Sequence, residues 1–72
     1  MTNKYKCSII EKTFGKDQEA DFQTLDDARD YARKYARIVP YKDGTMINEF
    51  YYYARISFSK CDEFLECIHP PS

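Results

Sequence analysis

The chain has no tryptophan, two glycines, three prolines and one histidine among its 72 residues. With so few glycines there is no glycine-rich loop to cradle a phosphate. The lone histidine, His69, stands directly before Pro70 and Pro71 near the end of the sequence. Neither Cys61 nor Cys67 would therefore have a firmly held base, and no catalytic residue is expected. Glu63 and Glu66 are three apart in an expected strand, so they would point to opposite faces and make no acid/base pair. No apolar run approaches the roughly 20 residues that a bilayer-spanning helix needs. The opening Met1-Thr2-Asn3-Lys4-Tyr5-Lys6 leads only into a four-residue run, Cys7 to Ile10, which is too short for a secretory signal.

An excess of one charge is missing too. Eleven basic side chains stand against twelve acidic ones, a net charge of −1. That balance removes the whole-molecule attraction of a dedicated nucleic-acid or anionic-membrane binder. Three cysteines cannot all pair within one chain, so free thiols in a reducing cytoplasm are the expectation. Cys7, Cys61, Cys67 and His69 are the right types for a zinc site. However, their intervals lack the close pairs that structural zinc uses, so no metal or other cofactor is expected.

What is present favours folding. Hydrophobic residues make up 43% and aromatic residues 17%, with seven Tyr and five Phe. This length suits one small domain, residues 1–72. Lys4 to Glu11 alternates as a strand, Gly15 marks a turn, and a weaker strand follows from Glu19 to Gln23, giving a hairpin. Leu25 to about Ile38 contains no Gly or Pro and reads as helix, with Thr24 as N-cap and Pro40 as its stop. Its apolar stripe is Leu25, Ala28, Ala32, Tyr35 and Val39. Asp43-Gly44 signals a turn before the longest strand, Ile47 to Ser59, with Phe50, Tyr52, Ala54, Ile56 and Phe58 assigned to the core. A last strand from Glu63 to His69 carries apolar residues on both sides, Leu65 and Cys67 against Phe64 and Ile68.

The order β-β-α-β-β predicts an α+β fold, an antiparallel sheet of about four strands with one helix packed on one face. A fifth short strand around Ile38 to Tyr41, paired across Asp43-Gly44, fits the same pattern. One helix cannot cover both faces of such a sheet, so one face meets water or a partner.

That inference directs attention to the outward side of the long strand, where Tyr51, Tyr53 and Arg55 stand, with Ile10 able to join them from the first strand. Tyr and Arg are enriched at interface hot spots. The competing reading is that Tyr simply suits an open strand. Charge is also segregated locally: residues 17–28 hold five acids and no base, and residues 29–42 hold five bases and one acid. Arg29, Arg33 and Arg37 fall four apart on the expected helix, either as a solvated face paired with Asp26 and Asp30 or as a grip for phosphate or an acidic protein edge.

In size, near-neutral charge, single-helix sheet layout and lack of catalytic residues, the chain resembles the small phage-encoded inhibitor proteins, some anti-CRISPR proteins among them. The likeness is one of organisation over the whole length and carries no site residues. It implies inhibition by occupying a partner's surface. The leading expectation is thus a non-enzymatic, cytoplasmic protein-binding module. Its candidate contact residues are Tyr51, Tyr53, Arg55, Arg29, Arg33 and Arg37. Two other readings stand beside it: a nucleic-acid-binding module that stacks bases on Tyr51 and Tyr53, and a homodimer whose open sheet faces pack together.

Overall fold

The computed structural model describes residues 3–44, 46–61 and 63–71. The elements are β1 (Tyr5–Glu11), β2 (Gly15–Phe22), α1 (Leu25–Tyr35), β3 (Arg37–Asp43), β4 (Met46–Phe58) and β5 (Phe64–Ile68). All pairings are antiparallel, in the order β2-β1-β4-β3, with β5 also on β4. The thirteen-residue β4 is the spine of the sheet. Its residues 52–58 pair with β1 along one edge. Along the other edge, residues 46–52 pair with β3 and residues 54–57 with β5. The expected α+β sheet with one helix on one face is present, and the fifth strand forms.

α1 begins where its chemistry requires. Thr24 is extended, and its hydroxyl accepts a hydrogen bond from the Asp27 N–H at 3.2 Å. Asp26 and Asp27 fill the first turn and Arg33 and Lys34 the last, matching the helix dipole. Ala28 and Ala32 are fully buried, and Leu25, Tyr31 and Tyr35 pack beside them. The small alanine side chains let the helix sit close on Cys7, Ile9, Ala54 and Ile56, which with Ala36 make up the rest of the buried core among the described residues. Tyr31, absent from the expected stripe, lies 5.1 Å from the Phe22 ring and 4.7 Å from Tyr35.

Two expectations need correction. The helix stops at Tyr35 rather than near Ile38. Ala36 is already extended, its N–H donating back to the Ala32 carbonyl at 2.8 Å. β-Branched Ile38 and Val39 then enter β3, and Val39 pairs with Phe50 instead of extending the helical stripe. Pro40 does not end the helix. It lies within β3 opposite Glu49, a β4 residue of the set whose main-chain groups point toward β1. The missing N–H of Pro40 thus falls on the outer edge, where a strand tolerates it.

Phe50 and Phe58 are also not in the buried core. An 11-residue helix is about 16 Å long, whereas thirteen strand residues span about 43 Å. α1 therefore covers only the middle of β4, and the molecule is elongated, 50 × 19 × 17 Å. Beyond one end of the helix Phe58 stacks on Tyr5 at 5.7 Å. Beyond the other, Phe50 stacks on Tyr41 at 4.2 Å, with Phe14 at 6.0 Å. Among the described residues, no helix is long and apolar enough to cross a membrane.

Candidate functional site

α1 packs on one face of the sheet, and strand alternation decides which side chains the opposite face shows. Tyr53 lies opposite Ile10, Arg55 opposite Ser8 and Ser57 opposite Lys6, so these residues share the face turned away from α1. Tyr51, opposite Ile38, continues it toward β3. Tyr51, Tyr53 and Arg55 thus stand together as the alternation predicts, and Ile10 joins them.

β5 adds residues that the sequence reading left aside. Its pairing with β4 shifts between Ile56 and Ser57, so Glu66 pairs with Ile56 while Phe64 pairs with Ser57. This irregularity turns Leu65 and Ile68 toward the core and leaves Phe64 and Cys67 exposed. The expected grouping of Leu65 with Cys67 against Phe64 with Ile68 is therefore corrected. A one-residue shift in register breaks the simple alternation on which that grouping rested.

His69 follows β5 and lands on the aromatic pair. Its ring stacks on Tyr53 with centroids 5.3 Å apart and 22° between planes, and its Nδ1 lies 2.9 Å from the Tyr51 hydroxyl. Lys12 Nζ stands 6.0 Å above the Tyr51 ring, and the Arg55 guanidinium 5.3 Å from the Phe64 ring. Phe64 and Ile38 are 49% and 38% exposed, so large apolar groups flank the cluster. The sequence signal for His69 was the Cys67-Ile68-His69 alternation, in which an inward Ile68 sends both neighbours outward.

Next to the aromatics lies an open depression of about 400 Å³ lined by Lys6, Ser8, Ile10, Lys16, Glu19, Arg55 and Ser57. Within it Lys16 Nζ is 3.3 Å from Glu19 Oε2, and the Ser8 hydroxyl donates to the same oxygen at 3.4 Å. The Lys16 hydrogen bond, helped by the charges of Lys16 and Lys6, holds the Glu19 carboxyl below its ordinary range despite opposing desolvation.

The three arginines do not form one stripe. Arg29 donates through Nε to Glu66 at 2.6 Å and lies 3.9 Å from Asp26; Arg33 lies 3.5 Å from Asp30. Arg37 is not on the helix at all. Because α1 ends early, Arg37 opens β3 on the helix side of the sheet, 4.4 Å from the Tyr52 ring, and its Nη1 donates to the Tyr35 carbonyl at 2.7 Å. The Asp26–Arg29 and Asp30–Arg33 pairs expected at helical spacing are present, and Arg37 instead lies against the Tyr52 and Tyr35 rings.

The cysteines are dispersed. Cys7 is buried under α1, whereas Cys61 and Cys67 are exposed, and all three thiols are free. Among the described residues no three His, Cys, Asp or Glu side chains gather as metal ligands. No protein-family model, curated protein or solved structure matches the chain.

Proposed function

We propose that this chain is a non-enzymatic protein-binding module that works by occupying a surface of a larger partner, as a small inhibitor does. The observation that carries this reading is the ordered cluster of Tyr51, Tyr53 and His69 beside Arg55 on the uncovered sheet face. Tyr and Arg are the types that most often anchor interfaces, because each brings a large contact area with a polar end. Here the rings are already fixed by stacking and by a hydrogen bond. Less side-chain freedom is lost when a partner covers them, which favours affinity. Ile38 and Phe64 extend the apolar area on either side.

The test is affinity capture from nuclease-treated extract with the wild-type chain and with Tyr51→Ala/Tyr53→Ala. Loss of central anchors typically costs about 2 kcal/mol or more of binding energy, enough to abolish capture of a specific partner while the variant stays folded. Capture that depends on added nucleic acid, or that is indifferent to the double substitution, refutes the proposal.

A further inference from the structure

We infer that the open sheet face is self-complementary and that a second copy of this chain occupies it when no larger partner does. The inference rests on reading that face as a protein-binding surface, and it adds how the surface is regulated: pairing hides Tyr51 and Tyr53 until a partner displaces the copy. The outward residues at the middle of β4 are, in order, Glu49, Tyr51, Tyr53 and Arg55. From the other end the order is base, aromatic, aromatic, acid. A two-fold axis lying across the strands at Tyr52 therefore sets Glu49 against Arg55 of the second copy and Tyr51 against its Tyr53, each contact being made twice. Glu49 and Arg55 are both exposed, and neither makes an ion pair among the described residues. Each stands three residues from the axis, about 10 Å along the strand, so the roughly 30° crossing of packed sheets leaves the two long side chains within reach of each other. Beside β4 the same axis brings Ile38, which pairs with Tyr51, over His69 of the second copy, which stacks on Tyr53 there. Lys16 and Glu19 neutralise each other at the rim.

Size and net charge allow the pairing. The molecule is 50 Å long and 17–19 Å across, so one sheet face is comparable with the about 800 Å² per partner of a standard interface. A net charge of −1 sets up no long-range repulsion between copies. Edge-to-edge association, the other route by which two sheets join, is obstructed. β2 carries Asp17, Glu19 and Asp21, whose like charges oppose self-pairing, β3 has Pro40 on its outer edge, and β5 is only five residues long. The contacts nearest the axis are tyrosines with polar ends rather than a continuous apolar core, so the pair is one that exchanges rather than a permanent dimer.

Sedimentation equilibrium from micromolar to millimolar concentration reads the pairing directly, and the wild type should form a reversible dimer. Glu49→Arg and Arg55→Glu each turn two attractive contacts into repulsive ones and should each weaken it by about tenfold. Glu49→Arg/Arg55→Glu swaps the charges within each contact and should restore it. Both positions are exposed, so thermal melts of the variants should match the wild type and separate lost pairing from lost folding. A second measurement needs no variant. In a mixture of labelled and unlabelled wild-type chains, isotope-filtered contacts should join the Tyr51 ring of one copy to the Tyr53 ring of the other. A monomeric wild type at millimolar concentration, a dimer indifferent to either single substitution, no recovery on swapping the charges, or contacts between copies at other residues overturns the inference. The two readings fail separately. A monomeric wild type whose capture of a partner depends on Tyr51 and Tyr53 removes the second copy alone, whereas a dimer that follows the charge swap, with capture indifferent to those tyrosines, removes the larger partner alone.

Discussion

Arg29 reaches from the helix to the last strand, its Nε donating to Glu66 Oε1 at 2.6 Å across 37 residues of sequence. β5 pairs with β4 only over Ala54–Ser57, and that register is interrupted. The charge-assisted bond is therefore a principal tie between β5 and the body of the fold. Three residues beyond Glu66, His69 stacks on Tyr53. Glu66→Ala should raise amide exchange in β5 severalfold and leave the central amides of β1 unchanged, with Glu66→Gln intermediate. Unchanged β5 exchange in Glu66→Ala would show that backbone pairing alone holds the strand.

The seating of α1 depends on two alanines. Ala32 is fully buried against the sheet, so Ala32→Asp places a charge where no donor waits for it. The domain should unfold or lose its cooperative thermal transition. Asp30→Ala, two residues away on the exposed side of the helix and 3.5 Å from exposed Arg33, should change stability by less than about 1 kcal/mol. An unchanged melt for Ala32→Asp would mean that the helix presents a different face.

Much of this arrangement was legible from residue types and spacing. The Thr24 cap, the Ala28 and Ala32 contact face, the outward Tyr51, Tyr53 and Arg55 and the hairpin at Asp43-Gly44 all follow from local chemistry and strand alternation. What was hidden depended on length and register. Val39 falls at helical spacing from Tyr35, so periodicity alone could not tell a fourth helical turn from the start of β3. The extended Ala36 decides it. That Phe50 and Phe58 are only half-buried depends on how far α1 reaches along β4, a relation between two elements that no window of sequence contains. The irregularity beside Ser57 likewise reassigns Leu65 and Phe64, because one skipped residue inverts every side chain beyond it.

The β1–β2 turn is closed by a buried acid. Glu11 is only 4% exposed, and its Oε2 accepts from the N–H groups of Thr13 and Phe14, each at 2.6 Å. Gly15 follows with φ +94°, a conformation that L side chains rarely adopt. Glu11→Ala leaves two backbone donors without their acceptor and should cost about 2 kcal/mol. For a domain of this size that corresponds to a fall in melting temperature of roughly 10 °C. Glu11→Gln keeps an acceptor oxygen and should lose less. Equal melts for the two variants would show that water replaces the carboxylate freely. Because this turn positions Phe14 against Phe50, the Glu11→Ala variant should also release the Phe14 ring, visible as a change in its aromatic chemical shifts.

Cys7 differs chemically from its two counterparts. It is fully buried between β1 and α1, and burial pushes its thiol up to about 11, whereas Cys61 and Cys67 are exposed. The thiolate is the reactive form. A thiol-specific reagent at neutral pH should therefore label two cysteines promptly in the native chain and the third only after unfolding. The same shift has a consequence for stability. As pH climbs past the ordinary thiol range, the unfolded chain releases the Cys7 proton while the native chain keeps it. The native state then binds more protons, and stability falls with rising pH until about 11, where the folded thiol also ionises. Cys7→Ala abolishes that contribution and leaves every other titrating group in place. The denaturant midpoint of the wild type should therefore decline more steeply than that of Cys7→Ala over the alkaline interval, with parallel curves below it. Curves that stay parallel up to pH 11, or prompt labelling of all three thiols, would show that Cys7 is open to solvent.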